Sequence, residues 1–293
     1  MISYNPKDWA LFLFRFHKTD TVRKLFPLII FISIYSGIIA YLEMEVFKLS
    51  QSSLVKNIPL MHSLLGFAIS MLLVFRTNTA YDRWWEGRKH WGSLINNSRN
   101  MAIKLNSFLP HDDTKDRLFF KTFIPQFAVE LMLHLQADST RFEFDEQPHP
   151  ELANLDRTKH VPNQVASLIM SRINILYRQQ KITGDQLIIL NNEMLSFLDI
   201  CGACERIKNT PIPYSYSAFI KKFIFFYIMS LPLGYVFSLG YLVIPVVAFI
   251  FYVLASLEFI AEEIEDPFGK DANDLPMQKM SDTIKKNVAD ILA

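Results

Sequence analysis

The longest apolar runs of the chain predict helices that cross a lipid bilayer. Residues 25–42, 223–239 and 241–260 are each close to the roughly 20 apolar residues that a membrane-spanning helix needs. Only Gly240 separates the last two runs. This arrangement predicts a helical hairpin whose two ends return to the same side of the membrane.

A further apolar run, residues 64–75, is too short to cross a bilayer alone and passes directly into charged sequence at Arg76. A helix that begins near Pro59 would be long enough, so we interpret this run as a fourth span that continues into the cytosol. Small residues recur in it at three- and four-residue spacing: Ser63, Gly66 and Ser70. Such spacing permits close approach between helices.

Basic residues flank the predicted spans on one side only. They precede the first span, follow the second and precede the third: Arg15, Lys18, Arg23, Lys24, Arg76, Arg83, Arg88, Lys89, Lys221 and Lys222. By the positive-inside rule these sides are cytoplasmic. We therefore predict a multi-pass membrane protein with both termini in the cytoplasm. A soluble helical protein is the alternative, and the repeated one-sided flanks disfavour it.

The long polar stretch between the second and third spans, residues 76–218, has helical periodicity and few strand signals. Its most loop-like part is residues 138–163, which contain three prolines. The predicted fold class is all-α, with four transmembrane helices plus a helical cytosolic region. We divide the chain into residues 1–75 with the first two spans, the cytosolic region 76–218, residues 219–261 with the last two spans, and an acidic cytosolic tail, 262–293.

Composition agrees with a membrane protein that has a substantial soluble part. Hydrophobic residues make up 51% of the chain, and the formal net charge is +1. A nearly neutral chain without a basic patch gives no reason to expect nucleic-acid binding. The sequence contains no catalytic triad, phosphate-binding glycine loop or zinc-protease signature, so we do not predict an enzyme. Cys201 and Cys204 form a C-x-x-C motif that we interpret as helix packing rather than a redox or metal site.

A stripe of bulky apolar residues runs along the second predicted span. Phe67, Met71 and Phe75 repeat every four residues and therefore share one helix face. From the residues alone, packing against a neighbouring helix is the favoured interpretation. The alternative is a narrow dry throat that gates an ion pore by dewetting. That alternative requires a cyclic oligomer, because one four-helix subunit cannot surround a pore.

An acidic cluster follows the fourth span, where Pro267 and Gly269 interrupt the helix. Its members are Glu262, Glu263, Glu265, Asp266, Asp271 and Asp274. Carboxylates on irregular backbone are suitable ligands for calcium, although their spacing is not that of an EF-hand. From the residues alone, a solvated helix end is the favoured interpretation.

Two long motifs resemble the signatures of the bestrophin family, in its bacterial branch. They are FRTNTAYDRWWEGRKHWG, residues 75–92, and AEEIEDPFGKDANDLP, residues 261–276. The resemblance extends over essentially the whole chain and implies a homopentameric channel with one central pore. It places a hydrophobic neck at Phe67, Met71 and Phe75, with Met71 departing from the usual isoleucine or phenylalanine. It also implies a location in the lipid bilayer of a bacterial inner membrane.

The resemblance further implies a second constriction at the cytosolic pore exit. Counting back from Cys204 by the family's spacing leads to Asp185, whereas a shift of one or two residues leads to Gly184 or Leu187. From the residues alone, Asp185 is equally well explained as a helix N-cap. A ring of five carboxylates at the exit would attract cations.

Animal bestrophins hold calcium in a clasp whose side-chain positions match Glu263, Asp266, Asp271 and Asp274 here. This sequence departs from their continuous acidic run at Lys270, Ala272 and Asn273. Bacterial relatives need not be gated by calcium, so this chain either binds calcium here or does not. Ca²⁺ is the one cofactor that the resemblance suggests.

The predicted function is passive conduction of small monovalent ions through the neck. We expect selectivity to lean towards cations, Na⁺ or K⁺, because bacterial relatives resemble cation channels and an Asp185 ring would attract cations. Chloride is close behind, because the best-known animal relatives carry it. The alternatives are a membrane-anchored metal-dependent enzyme that uses the acidic cluster and a helical membrane scaffold without a pore.

Overall fold

The computed structural model describes residues 21–47, 58–137, 156 and 158–293, and every regular element in these ranges is helical. The α-helices are α1 (Thr21–Tyr41), α2 (Ile58–Phe108), α3 (Thr114–Gln136), α4 (Val161–Arg178), α5 (Gly184–Asn209), α6 (Tyr214–Leu239), α7 (Val243–Glu265) and α8 (Met277–Ile291). A π-helical turn, Leu42–Val46, extends α1. A 3₁₀ turn, Gly240–Leu242, joins α6 to α7. The all-helical fold class predicted from the sequence is confirmed for the described residues.

Five helical segments are long and apolar enough to cross a membrane: Thr21–Val46, Ile58–Phe108, Thr114–Gln136, Gly184–Asn209 and Tyr214–Glu265. The last contains both of the spans that the sequence predicts before and after Gly240. The second begins at Ile58, next to the start near Pro59 that the apolar run requires. Most of the predicted loop, residues 138–163, lies outside the described residues.

The chain divides into two compact units. Among the described residues, we call 21–47, 58–83 and 212–265 the apolar unit, and 84–137, 156, 158–211 and 266–293 the bundle unit. Helix α2 is continuous and supplies residues to both units. The second signature motif is likewise divided, because α7 ends at Glu265 and the loop that follows belongs to the bundle unit.

The apolar unit is built around α7. Helices α1 and α6 both pack on α7 and also contact each other. Their shared core includes Ile32, Ile224 and Val247, and α2 contributes Ile69 and Leu73. Large apolar side chains also cover the outside of the unit, among them Phe26, Phe31, Ile34, Phe226 and Phe249. Apolar residues on both the inside and the outside of a helical unit are typical of membrane spans.

Two glycines of the apolar unit leave room for side chains of another helix. A Cβ added at Gly66 would lie 2.9 Å from the Tyr227 hydroxyl, and one added at Gly234 would lie 2.6 Å from Ile58 Cγ2. Gly66 of α2 therefore leaves room for the Tyr227 side chain of α6. Gly240 has a different role, because its φ of +55° is in the region that favours glycine. This residue ends α6 and allows the sharp return into α7.

The bundle unit has an aromatic-rich core. Phe120, Phe123 and Phe127 of α3 are fully buried together with Phe197 of α5 and Trp91 of α2. Helices α4 and α8 also pack on α3. The buried side chains of α8 recur at helical spacing: Met277, Met280, Ile284 and Val288. This unit thus has its own hydrophobic core, as a domain of this size requires.

A charged cluster holds the start of α3. The Asp113 side chain accepts a hydrogen bond from the Asp116 backbone N–H and caps the helix. Lys181 Nζ lies 2.5 Å from a carboxylate oxygen of each aspartate, and Arg172 also pairs with Asp116. Burial alone would raise the pKa of Asp113, but the hydrogen bonds from Lys181 and Asp116 hold it below its ordinary value. The hydrogen bonds that Lys181 donates to Asp113 and Asp116 raise the pKa of Lys181.

We expect Lys181→Met to lower the melting temperature of the purified protein by roughly a few degrees at about pH 7. Because the pKa of Asp113 is lower in the folded protein than its unfolded value of 3.8, this group stabilises the fold at pH values above 3.8. That stabilisation is lost as pH falls through the folded pKa. Because the pKa of Lys181 is higher in the folded protein than its unfolded value of 10.5, this group stabilises the fold at pH values below 10.5. That stabilisation is lost as pH rises through the folded pKa. The difference between wild type and variant should therefore shrink at about pH 3. Equal differences in thermal melts at both pH values would contradict this account.

Candidate functional site

The stripe predicted on α2 lies on an exposed face of that helix. Phe67, Met71 and Phe75 are 70%, 51% and 57% exposed in the single chain. Ile69 and Leu73, on other faces of the same helix, are buried in the core of the apolar unit. The stripe therefore does not serve the packing of its own subunit. Beyond Arg76, Asn78 and Asp82 are also exposed and continue roughly the same face into polar sequence.

A buried charge cluster begins at the residue after the stripe. Arg76 is 1% exposed, and its Nη2 atom lies 2.7 Å from Glu265 Oε2. Its Nε atom lies 3.6 Å from Glu258 Oε2, and Glu258 is also buried. The other Glu265 oxygen accepts the Ile212 backbone N–H at 2.7 Å, and Arg83 Nε donates to the Glu265 carbonyl oxygen at 3.0 Å. This cluster joins the end of the stripe to the end of α7.

Sequence reasoning missed this cluster. It interpreted Arg76 and Arg83 only as flanking charges and gave Glu258 no role. A signal was available, because Glu258 interrupts an otherwise apolar predicted span. An ionisable residue inside such a segment requires a partner.

In the bundle unit, the loop of the second signature packs against the first signature. Trp84 Nε1 donates to the Asn273 carbonyl oxygen at 3.0 Å. Gly87 faces Phe268, because a Cβ added at Gly87 would lie 3.1 Å from the Phe268 ring. Within the loop, the Leu275 N–H donates to the Pro267 carbonyl oxygen at 2.9 Å. The two signature motifs are therefore contact partners within the fold.

The structure brings some of the predicted calcium ligands together. A Cβ added at Gly269 would lie 2.6 Å from Asp274 Oδ2 and 3.8 Å from Asp266 Oδ2, so both carboxylates approach this glycine. Asp274 Oδ2 also accepts the Asp271 backbone N–H at 2.5 Å. Glu263 belongs to the apolar unit, where it pairs with Lys24 at 2.6 Å. The role of these four residues as calcium ligands stays a prediction.

Asp185 is exposed near the start of α5 but is not its N-cap. The cap is Thr183, whose hydroxyl accepts the Gln186 N–H, while the Gln186 side chain accepts the Thr183 N–H. This capping box corrects the N-cap interpretation of Asp185, and its T-x-x-Q signal was present in the sequence. The assignment of Asp185 to the pore exit stays a prediction.

The C-x-x-C motif is part of the packed core, as the sequence analysis favours. Cys201 and Cys204 are both buried on α5 as free cysteines. Burial raises the pKa of the Cys201 thiol to about 12, and the pKa of Cys204 also lies above its ordinary value for the same reason. Both thiols are therefore protonated near neutral pH, which is unsuitable for redox chemistry or metal ligation.

Comparison with known proteins relates the whole chain to channel-forming proteins. The family model described as bacterial/fungal bestrophin protein matches residues 1–290. A voltage-dependent anion channel-forming protein of Nostoc sp. is 36% identical over 80% of this chain and 80% of its own. The Escherichia coli protein YneE, described in the same words, is 33% identical over 76% of this chain and 73% of its own.

Solved structures agree with these sequence matches. One crystal structure of a bacterial bestrophin homologue from Klebsiella pneumoniae has a TM-score of 0.78 and 27% identity and covers 91% of this chain and 98% of its own. A second structure of a homologue from the same organism has a TM-score of 0.79 and 28% identity and covers 92% of this chain and 100% of its own.

Proposed function

Because the chain belongs to the bacterial and fungal bestrophin family, we propose that five copies of it surround one pore that conducts ions passively. The protein is a multi-pass membrane channel protein and not an enzyme. The observation that carries the proposal is the exposed stripe on α2. Phe67, Met71 and Phe75 are large, apolar and unused by the core of their own subunit.

The stripe forms the neck of the proposed pore. Copies of α2 related by a five-fold axis would bring three rings of bulky apolar side chains together, and such a constriction can gate by dewetting. The buried Arg76 cluster supports this role, because it fixes the helix directly after Phe75 against the end of α7. Met71 provides a flexible thioether in the middle ring, so the throat can adjust more readily there than a β-branched side chain would allow.

We assign four membrane spans, to α1, the first half of α2, α6 and α7. The remaining apolar candidates, α3 and α5, lie wholly in the bundle unit. Of the apolar window in α3, 67% is buried inside the protein, and Arg117 and Glu130 of this helix are also buried. A helix whose apolar face is already covered needs no lipid. The basic flanks then place both termini in the cytoplasm of a bacterium, with the spans in its inner membrane.

We propose that the channel selects anions such as chloride. The relatives from Nostoc sp. and E. coli are both described as anion channel-forming proteins. Apolar neck rings carry no charge that could favour one sign, so the expected lean towards cations rested on the resemblance to bacterial cation channels and on the Asp185 ring. The comparisons do not support that lean. Asp185 at the exit, if present as a ring, would oppose anion flow rather than set the selectivity of the neck.

The reversal potential of the purified protein in planar bilayers under a salt gradient tests this proposal. We expect its sign to match the equilibrium potential of the anion, and we expect Asp185→Asn to move it further in that direction. A potential of the opposite sign would refute anion selectivity, and absence of current would favour a scaffold without a pore.

Calcium binding by Glu263, Asp266, Asp271 and Asp274 is proposed for the loop between α7 and α8. Its support is the approach of Asp266 and Asp274 to Gly269 and the preference of calcium for several carboxylate oxygens. A chelator added during the same recordings tests whether the ion gates the pore. Unchanged currents, together with no heat of calcium binding in calorimetry, would reject a calcium site.

A further inference from the structure

Three side chains that can bind a metal ion meet in the bundle unit, separately from the acidic loop. His134 is in the last turn of α3, His160 directly precedes α4, and Glu205 is on α5. Their ligand atoms all lie within 4.8 Å of one another. His134 Nε2 is 2.7 Å from Glu205 Oε1, and His160 Nε2 hydrogen-bonds to the same oxygen.

The three side chains are held in place and are still accessible. The two histidine side chains are 29% exposed and that of Glu205 is 28% exposed, so an ion in solution can reach them. The His160 ring is fixed because its Nδ1 atom accepts the Asn163 backbone N–H at 3.1 Å, which caps α4. The His134 backbone is fixed because Lys208 Nζ donates to the carbonyl oxygens of His134 and Ala137 at the end of α3. The fold therefore brings the three ligand atoms together before an ion binds.

We propose that His134, His160 and Glu205 form a binding site for a divalent transition-metal ion, with Zn²⁺ as the best match. Two imidazole nitrogens and one carboxylate are a ligand set that zinc accepts, with the remaining coordination position open to water. Imidazole ligands favour zinc and its transition-metal neighbours over Ca²⁺ and Mg²⁺, which prefer oxygen. The ion would replace the two hydrogen bonds that now converge on one Glu205 oxygen.

Burial and hydrogen bonding act on the ionisable groups of the site. His160 accepts the Asn163 backbone N–H at Nδ1, and its Nε2 atom faces Glu205. Burial lowers the pKa of His134. Burial alone would raise the pKa of Glu205, but hydrogen bonds from His160 and His134 outweigh it and keep this pKa below its ordinary value.

Two further charged features face the site. Lys208 places an ammonium group at the end of α3 and disfavours a second cation there. The negative end of the α3 dipole, at the same helix terminus, attracts the metal ion. Cys201, one turn before Glu205 on α5, is buried as a free thiol.

Metal binding has a structural consequence at His160. With an ion on Nε2, the ring proton must move to Nδ1, which then can no longer accept the Asn163 N–H. The ion and the cap of α4 therefore compete for the same imidazole. We expect the Asn163 amide to exchange its hydrogen faster with the ion bound than without it.

Titration of the full-length protein in detergent with Zn²⁺, by calorimetry at about pH 7.5, tests the proposal. We expect one ion per chain, and a loss of affinity of at least about tenfold in each of His134→Gln, His160→Asn and Glu205→Gln. His160→Asn is the most informative variant, because asparagine is also a strong N-cap and should preserve α4. Binding should also weaken below about pH 6, where protons compete for the imidazoles.

His90→Gln is the matched control. His90 Nε2 lies 3.7 Å from Glu86 Oε1 in the same unit, and its side chain is also 29% exposed. Unchanged zinc affinity in this variant, with loss in the other three, supports the proposal. Equal loss in all four variants, or no saturable binding by the wild type, would overturn it.

X-ray absorption of the zinc-loaded protein gives a second readout. A first shell of nitrogen and oxygen with two imidazoles is expected, whereas a sulfur shell would assign the ion to the cysteines and overturn the proposal. These measurements need no ion current, so their outcome is independent of the proposed channel function.

Discussion

Phe75→Ala is expected to raise the single-channel conductance of the reconstituted protein by at least about twofold. The substitution removes five aromatic rings from the cytosolic end of the proposed neck, which widens it and admits water more readily. Phe75 is 57% exposed in the single chain, so its truncation should leave the subunit core intact. Single-channel recording in planar bilayers measures the change.

The matched control for this variant is Phe226→Ala. Phe226 belongs to the same unit and is also largely exposed, but it is on α6 and not on the stripe. We expect the control to conduct as the wild type does. Wild-type conductance in Phe75→Ala, with size-exclusion chromatography showing an unaltered oligomer, would remove Phe75 from the pore.

Arg76→Met is expected to destabilise the protein strongly. Removing one partner of a buried ion pair costs about 3–5 kcal/mol, because the remaining charge stays buried without compensation. Here Glu258 and Glu265 would both lose their guanidinium partner. A loss of this size should lower the melting temperature in detergent by roughly 10 °C. Thermal unfolding followed by fluorescence measures the effect.

Arg206→Met provides a control with the same pair geometry at the surface. Arg206 Nη2 also lies 2.7 Å from a glutamate oxygen, that of Glu86, but its side chain is 65% exposed. Exposed pairs contribute about 0–1 kcal/mol, so this control should melt close to the wild type. Equal melting temperatures for the two variants would show that the Arg76 cluster does not stabilise the fold.

A double variant separates the ion pair from other contacts of Arg76. The double variant Arg76→Met/Glu265→Gln should lose less stability than the sum of the losses in the two single variants. The reason is that each single change already breaks the same ion pair. Additive losses would mean that the two side chains act independently.

The apolar helices could be predicted well from the sequence because their signals are local. Length and apolarity define the helix predicted at residues 25–42 and the hairpin around Gly240. The length that a second span requires placed its start near Pro59, one residue from the observed Ile58. The start of α5 was misplaced, although the Thr183 capping box was also a local signal. Here the prediction followed the acidic side chain of Asp185 and overlooked the paired threonine and glutamine.

The contacts between distant residues could not be predicted in the same way. Arg76 and Glu258 are separated by most of the chain, and only the fold brings them together. His134, His160 and Glu205 come from three helices and form no sequence motif, so their convergence appears only in the fold. The stripe on α2 is intermediate, since periodicity gave its face, whereas its exposure required the structure.

The turn between α6 and α7 has a consequence for the biogenesis of the channel. Its three residues, Gly240–Leu242, carry no charged side chain, and the positive φ of Gly240 closes the return within a single residue. If the pair enters the bilayer from the cytoplasmic side as one hairpin, no ionised group has to be translocated to the far leaflet. The last two spans can therefore insert together, late in synthesis, at the cost of desolvating only a few peptide groups.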